Sequence, residues 1–517
     1  MMSFPRRGAP AALPAPPQFD IGKLRQKRRS SSMGSAFLLV GLALMAVVSA
    51  LLVVVAGWFS LAFVLVLVLL ALLLWDFRVG AVALMLFIPL AGTRLLPSFK
   101  GLNAQNLLLF GTLASYLLFR MSRKVDYRLV DKKLLLAYVL PFLVAGFIGS
   151  NHAGELVQWS RTADMAVADR KGFLLYYVIK PGLLIVMALL IAAAVRHAKD
   201  PRRFVTAFAF GAMIPATFIA IYLPLSGVSL AQLVNFRSFL SVLGMHSNQF
   251  AVVLNFGIAA LLFAGMEATT TGRRLFLLGV SGFLATVLIL TFSRGGYLGL
   301  ALIIAAYVFH TRDVTKLLAG VLVLAIAAFF IPEAVIDRVT LGITHGNRAD
   351  LSSGRIDDLW LPLLPQVVDA PVFGHGLLYV GRSELVTSGR MMVAAQAHNA
   401  YLDLLLDAGV IGLLLVTWFL WTVFKDFRAL SKSDPDPVMR GFFRGASVGL
   451  LAWLLQAFFD DRLFPNQPQM LFWMAYGLML GRHPRMLRAA VDTAATTAAK
   501  VRELKPYTHR IGRRTGA

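Results

Sequence analysis

The sequence predicts an all-α, polytopic membrane protein with about 12–14 transmembrane helices and one long, partly helical loop. Three observations predict it. Hydrophobic residues make up 58% of the 517 and charged residues only 15%, too apolar a balance for an ordinary soluble domain. Apolar runs long enough to cross a bilayer recur along most of the chain. Lys and Arg gather in alternate connecting segments, which is the positive-inside pattern.

The elements follow in order. Residues 1–34 are Pro-rich and then basic, with Lys23, Arg25, Lys27, Arg28 and Arg29 together. Such a stretch cannot bury a core, so a disordered basic cytoplasmic tail on anionic headgroups is expected. A docking site for a partner is the alternative. An N-terminal bundle is expected over 35–331, with apolar runs near 36–56, 59–75, 79–96, 102–119, 134–149, 174–195, 204–224, 250–266, 275–292, 295–309 and 317–331. The first run follows a long leader and is succeeded at once by another span. It therefore reads as a retained span rather than a cleaved signal peptide. Residues 332–397 form a long periplasmic loop with turn signals at Gly346–Asn347, Gly374–His375–Gly376 and Ser388–Gly389. A helix is expected around Arg355–Leu364. Loops of this length in compact proteins are functional or disordered, and the apolar periodicity here favours a folded one. C-terminal spans are expected within 398–481, near 408–424, 443–459 and 471–481. Residues 482–517 read as a basic cytoplasmic tail. Within it 484–505 suits either a helix on the inner surface or an inert extension. Several runs are short or interrupted, so the span count is open by one or two.

Charge fixes the orientation. Threading these spans from a cytoplasmic N-terminus puts most of the 50 Lys and Arg inside, while the 26 acidic residues divide about evenly. The net charge of +24 then belongs to the inner face, both termini are cytoplasmic, and no nucleic-acid partner is needed to explain it. The basic partners are membrane lipids. The chain has no cysteine, which excludes disulfides and thiolate metal sites. It also lacks a phosphate-binding P-loop, a dinucleotide fingerprint and a zinc-protease motif.

Candidate chemistry lies on the outer side. The run Gln396–Ala397–His398–Asn399–Ala400–Tyr401–Leu402–Asp403 opens an apolar helix. An imidazole there suits proton transfer at neutral pH, and a merely structural histidine is the alternative. Asn399, Asp403 and Asp407 recur every four residues along one stripe, which runs about 12 Å at 1.5 Å per residue. Polar groups at the lip of a span are costly unless used. A solvated pre-helix is the plain alternative for the acids. Thr291–Phe292–Ser293–Arg294–Gly295–Gly296 puts Arg294 on the outer side, against the charge bias. Its fork matches phosphate oxygens, and a snorkelling anchor is the alternative. Arg355 at the start of the loop helix suits a phosphate or sugar, or pairs with Asp358. His246 and Asn248, in Gly244–Met245–His246–Ser247–Asn248–Gln249, either contact a ligand or cap a helix.

These pieces together resemble the O-antigen ligase and O-antigen polymerase superfamily of bacterial membrane glycosyltransferases. The likeness covers about residues 200–480 and rests on the order of the pieces. They are Gly244–Asn248, Thr291–Gly296, Gly354–Arg355 with Trp360, Gly374–His375–Gly376, His398–Leu402, then Asp407–Leu413. Asp407 stands where the family often has Glu, which leaves its role open. The resemblance implies a metal-independent enzyme without cofactor at the periplasmic face of the bacterial inner membrane. Such an enzyme moves a glycan from a polyprenyl-diphosphate carrier to an acceptor, either another glycan or a lipid A core. Carried over, Arg294 would hold the diphosphate and His398 would activate the acceptor hydroxyl or position it. Arg355, Asn399, Asp403, His246 and Asn248 are then substrate-binding candidates, and polysaccharide-assembly proteins are candidate partners. Long tails and a long loop favour a polymerase of O-antigen or exopolysaccharide slightly over a ligase. A protein O-oligosaccharyltransferase is a third branch. A flippase for the lipid-linked glycan is the rival of another class, but it calls for charge deep in the spans. A peptidoglycan polymerase of the shape, elongation and division family is a further rival, and its signature pieces are not evident.

Overall fold

The computed structural model describes residues 68, 71–73, 75–90, 98–99, 102–123, 130–156, 169–226, 240, 243–312, 354–390, 396–459 and 462–482. The expected terminal tails, the expected spans at 36–56 and 317–331, nearly all of the one at 59–75, and the Gly346–Asn347 turn lie outside them. The chain divides into two units, Met1–Leu72 and Leu73–Ala517.

The second unit is a bundle of helices: α1 (Phe77–Phe87), α2 (Ala104–Arg123), α3 (Lys132–Ser150), α4 (Arg170–Arg196), α5 (Arg202–Leu225), α6 (Ser247–Glu267), α7 (Thr271–Ile289), α8 (Arg294–Thr311), α9 (Ile356–Trp360 continued by Leu361–Leu363), α10 (Ala400–Ser433), α11 (Pro437–Gln456) and α12 (Met470–Gly481). The strands among the described residues are a two-residue antiparallel pair, Ser98–Phe99 with Leu102–Asn103. Seven helices, α3 to α7 with α10 and α11, are long and apolar enough to cross a membrane. Each expected span within the described residues falls on a helix, and the protein is an all-α, multi-pass membrane protein.

Helix starts are read from their caps. Asp76, Asp131, Asp169, Ser293, Asn399 and Asp436 each accept a backbone N–H of the first turn they precede. That satisfies donors which a helix leaves orphaned at its N-terminus. Helices α3 and α4 each carry one wider π-helical stretch near their start, at Leu135–Val139 and Leu174–Ile179.

Helix α6 is apolar all round and buried along most of its length, so it is the core of the bundle. Its tightest partner is α11. Gly441, Gly445 and Gly449 recur every four residues on α11 and lie against α6. A Cβ at Gly441 would come within 2.2 Å of the Phe263 carbonyl oxygen, and one at Gly445 within 2.1 Å of that of Ala259. Small residues at this spacing let two backbones touch, which is how helices associate when lipid offers no hydrophobic drive. At one end the same pair is clipped by Glu267 of α6 with Arg440 and Arg444 of α11. At that end too, Arg482 donates to Asp434 at 2.8 Å and Arg202 lies 3.5 Å from Asp436. The candidate site lies at the opposite end.

Helix α10 is broken. Gly409 has φ 67° and ψ −171°, far from helical, and divides the element in two. The groups that the break exposes are taken up by residues 371–376. His375 N–H donates to the Leu406 carbonyl at 2.8 Å and Gly376 N–H to that of Asp407 at 2.9 Å. On the other side of the break Val410 N–H donates to the Pro371 carbonyl at 2.8 Å, and Ile411 N–H to that of Val372 at 3.3 Å. Unpaired backbone at membrane depth is prohibitively costly, and this strand of loop repairs it. The loop is pinned further where Leu377 N–H donates to the Ala145 carbonyl of α3 at 2.8 Å.

Candidate functional site

The turn after α11, Ala457–Phe459, is the ledge on which the site is built. Three segments distant in sequence hang from it. Ala400 N–H, at the start of α10, donates to the Ala457 carbonyl at 2.8 Å. Tyr401 donates its hydroxyl to the Leu454 carbonyl at 2.9 Å, and its ring lies 4.4 Å from that of Phe458. Arg355, from the loop helix, donates to the Phe459 carbonyl. Gly295, next to Arg294, faces the Phe459 side chain, where an added Cβ would sit 3.7 Å from its Cβ. Arg294, Arg355 and the His398 run therefore meet at one end of the bundle.

His398 is half-buried and has φ 52°, in the left-handed region. A non-glycine residue held there costs of order 1–3 kcal/mol, and such residues cluster at functional sites. Everything around His398 is fixed. Asn399 caps α10, its side-chain oxygen accepting from Tyr401 N–H at 3.1 Å and Leu402 N–H at 3.2 Å. Asp403, 5% exposed, turns back to accept from Ala397 N–H at 2.8 Å. The indole of Trp360 donates to the Ala397 carbonyl at 2.9 Å. The amide of Gln396 stands 3.4 Å from Nδ1 of His398. Beneath lies a small core of Leu359, Leu363, Leu385, Ala397, Leu402 and Leu406, which seats the loop on α10.

The Arg294 segment is built alike. Phe292, just before the cap Ser293, is also left-handed, with φ 52°. Ser293 accepts from Gly296 N–H at 3.1 Å and donates its hydroxyl to Asn248 at 2.8 Å. Asn248 thus ties the start of α6 to the start of α8. His246 caps α6, accepting from Asn248 N–H at 3.4 Å through Nδ1, while Gln249 accepts from His246 N–H at 3.0 Å. His246 is exposed and Arg294 half-buried.

Asp407 lies two turns below His398, 5% exposed, and accepts from Tyr379 N–H at 3.1 Å. Its neighbour Arg382 escaped the sequence reading, because no motif surrounds it. Only 7% of its side chain is exposed. It donates to the His375 carbonyl, lies over the Tyr379 ring at 5.1 Å, and faces Glu155 at 3.8 Å. Burial pulls its guanidinium below its ordinary pKa, and the negative charge of Glu155 and Asp407 opposes that. The Ala457–Phe459 ledge was missed as well, since Ala-Phe-Phe at a span end carries no polar signal. A cavity of about 350 Å³ opens in the loop beside Gln366, Glu384, Thr387, Ser388 and Arg390, on a polar lining.

Among the described residues no group of His and acidic side chains is arranged to hold a metal ion. Residues 279–417 match the family model described as O-antigen ligase. That stretch is similar to the O-antigen ligase family. That match runs from before Arg294 to beyond the Gly409 break, so all three segments that meet on the ledge fall within it. The α6 start at His246 and Asn248 lies before the O-antigen ligase match, and the ledge itself lies after it. No curated protein matches the chain.

Proposed function

We propose that the protein is a glycosyltransferase that moves a glycan from a polyprenyl-diphosphate carrier to an acceptor sugar hydroxyl at the periplasmic face. The observation that carries this reading is the meeting of Arg294, Arg355 and the rigid His398 turn on one ledge. In the reaction the bond between the anomeric carbon and the diphosphate oxygen breaks. The acceptor oxygen forms the new bond, its proton passes to the imidazole, and polyprenyl diphosphate leaves with the electron pair. Two guanidinium groups brought to one end of the bundle suit the charge that builds on the leaving diphosphate. The imidazole of His398, whose Nδ1 stands 3.4 Å from the Gln396 amide nitrogen, serves as the base. Asn399, Asp403, His246 and Asn248 hold the turns around the site, each through one side-chain atom, and their remaining polar atoms are candidates for substrate contact. The long tails and long loop lean the reading slightly toward a polymerase of O-antigen or exopolysaccharide over a ligase.

The test is purified protein in detergent with polyprenyl-diphosphate glycan and a glycan acceptor, where no membrane sidedness exists. Loss of a general base costs roughly 10²–10⁴-fold in rate, and His398→Ala is expected to show it while keeping its fold. Wild-type turnover that survives this change would remove His398 from the chemistry. No wild-type turnover with any acceptor, together with transport of the donor in vesicles, would move the reading to a flippase.

A further inference from the structure

The long loop, by sequence a water-exposed segment, carries an apolar face that the described residues leave uncovered. On and just after α9, Leu361, Leu364 and Val368 are 53%, 48% and 76% exposed, and Pro365 is exposed beside them. Their spacing of three and four residues makes one stripe. The opposite side of the same turns, Leu359, Leu363 and Gln366, is buried. The stripe continues into Val372 and Phe373, 47% and 57% exposed.

Backbone bonds fix the depth of this face. Pro371 and Val372 accept from Val410 and Ile411, the first residues after the α10 break. Helix α10 has 34 residues, more than a bilayer needs, and Lys425, Asp426 and Arg428 mark where its far end leaves the hydrocarbon. Counting about 20 residues back from Phe424 reaches the neighbourhood of Leu405. Val410 and Ile411 then lie roughly 8 Å inside the hydrocarbon at 1.5 Å per residue. The bond from Leu377 to Ala145 agrees, since Ala145 sits more than a turn short of the end of α3. The exposed face of α10 at this level, Val410, Ile411 and Leu414, runs on from Val372 and Phe373 without interruption. Asp369 is also exposed, next to Val368. A carboxylate is costly in hydrocarbon, so the stripe lies shallow, just beneath the headgroups.

We infer that residues 361–373 are seated in the membrane, with their apolar stripe against the phospholipid acyl chains of the leaflet on the site side. Helix α9 is then a partition. One side faces lipid, and the other carries Trp360, which holds the His398 turn through Ala397. On the glycosyltransferase reading, a lipid-linked donor meets this edge when it leaves the leaflet. The insertion itself does not depend on that reading.

The chain's lack of cysteine makes the test direct. Leu364→Cys, Val368→Cys and Ser388→Cys are labelled in detergent with an environment-sensitive nitrobenzoxadiazole dye and reconstituted into phosphatidylcholine–phosphatidylglycerol vesicles. All three positions are exposed, so labelling and folding are expected to be kept, with a monodisperse elution profile as the check. Dye at 364 and 368 is expected to emit at shorter wavelength and to be quenched several-fold more by acyl-chain nitroxide lipids than dye at 388. Dye at 388 is expected to respond to aqueous iodide. Water-like emission and iodide quenching at 364 and 368 would overturn the inference, and so would quenching there by headgroup nitroxide alone.

Discussion

Replacing Gly409 by Ala tests whether the break in α10 and the loop that mends it are one device. The native conformation, φ 67° with ψ −171°, belongs to a region open essentially to glycine alone, and forcing another residue into it costs about 1–3 kcal/mol. Space is lacking as well. A Cβ at this position would lie 2.3 Å from the Val372 carbonyl oxygen, a backbone atom that cannot swing aside as a side-chain tip does. Relief by moving the loop away loses the bonds from Val410 and Ile411, each contributing about 0.5–1.5 kcal/mol. Together the change is expected to destabilise the folded state by roughly 2–6 kcal/mol. Gly279→Ala and Gly282→Ala are the controls. Both lie in regular helix with nothing within 4 Å of the added carbon, and Ala there is neutral or stabilises by up to about 1 kcal/mol. The assay is thermal unfolding of the purified protein in detergent, paired with limited proteolysis across 371–390. Gly409→Ala is expected to melt clearly below wild type and to be cut faster in the loop. Melting and cleavage equal to those of the controls would refute the idea that the loop mends the helix.

Other outcomes follow from the same geometry. Arg294→Lys keeps the charge but loses the fork, and glycan output at equal protein level is expected to fall to a small fraction of wild type; full output would make Arg294 an anchor only. Trp360→Phe removes the donor to the buried Ala397 carbonyl, a loss of about 1–3 kcal/mol, and should lower turnover more than it raises KM for the acceptor. In intact spheroplasts Ser388→Cys is expected to react with an impermeant maleimide and Ser433→Cys is not; both positions are exposed, and the reverse pattern would invert the proposed orientation.

The sequence made the helices legible because lipid leaves the backbone few choices, and apolar length alone marks a span. The site was legible in part. His398 and Arg294 stood out because charge and polarity at the lip of a span are expensive. Their partnership was not legible, since the ledge that joins them, Ala457–Phe459, is apolar and acts through carbonyl oxygens that any residue possesses. Nor was the left-handed backbone at Phe292 and His398, which no glycine marks in the sequence. The acids along α10 read as one stripe aimed at a ligand. In the fold Asp403 bends back to Ala397 and Asp407 reaches over to Tyr379, because nearby backbone donors needed acceptors. Arg355, expected to meet a phosphate or sugar or to pair with Asp358, also reaches the Phe459 carbonyl, a partner no sequence pattern announces.

The order in which the chain is made bears on the broken helix. Residues 371–376 leave the ribosome before α10 does, by a few seconds at roughly 5–20 residues per second. The lower half of α10 can enter lipid by itself, but its freed carbonyls and N–H groups find partners only when the earlier segment is already beside them. Synthesis therefore delivers the splint before the fracture. A rearranged gene that encoded the same segments with α10 first would expose those groups to hydrocarbon while the ribosome was still completing the loop.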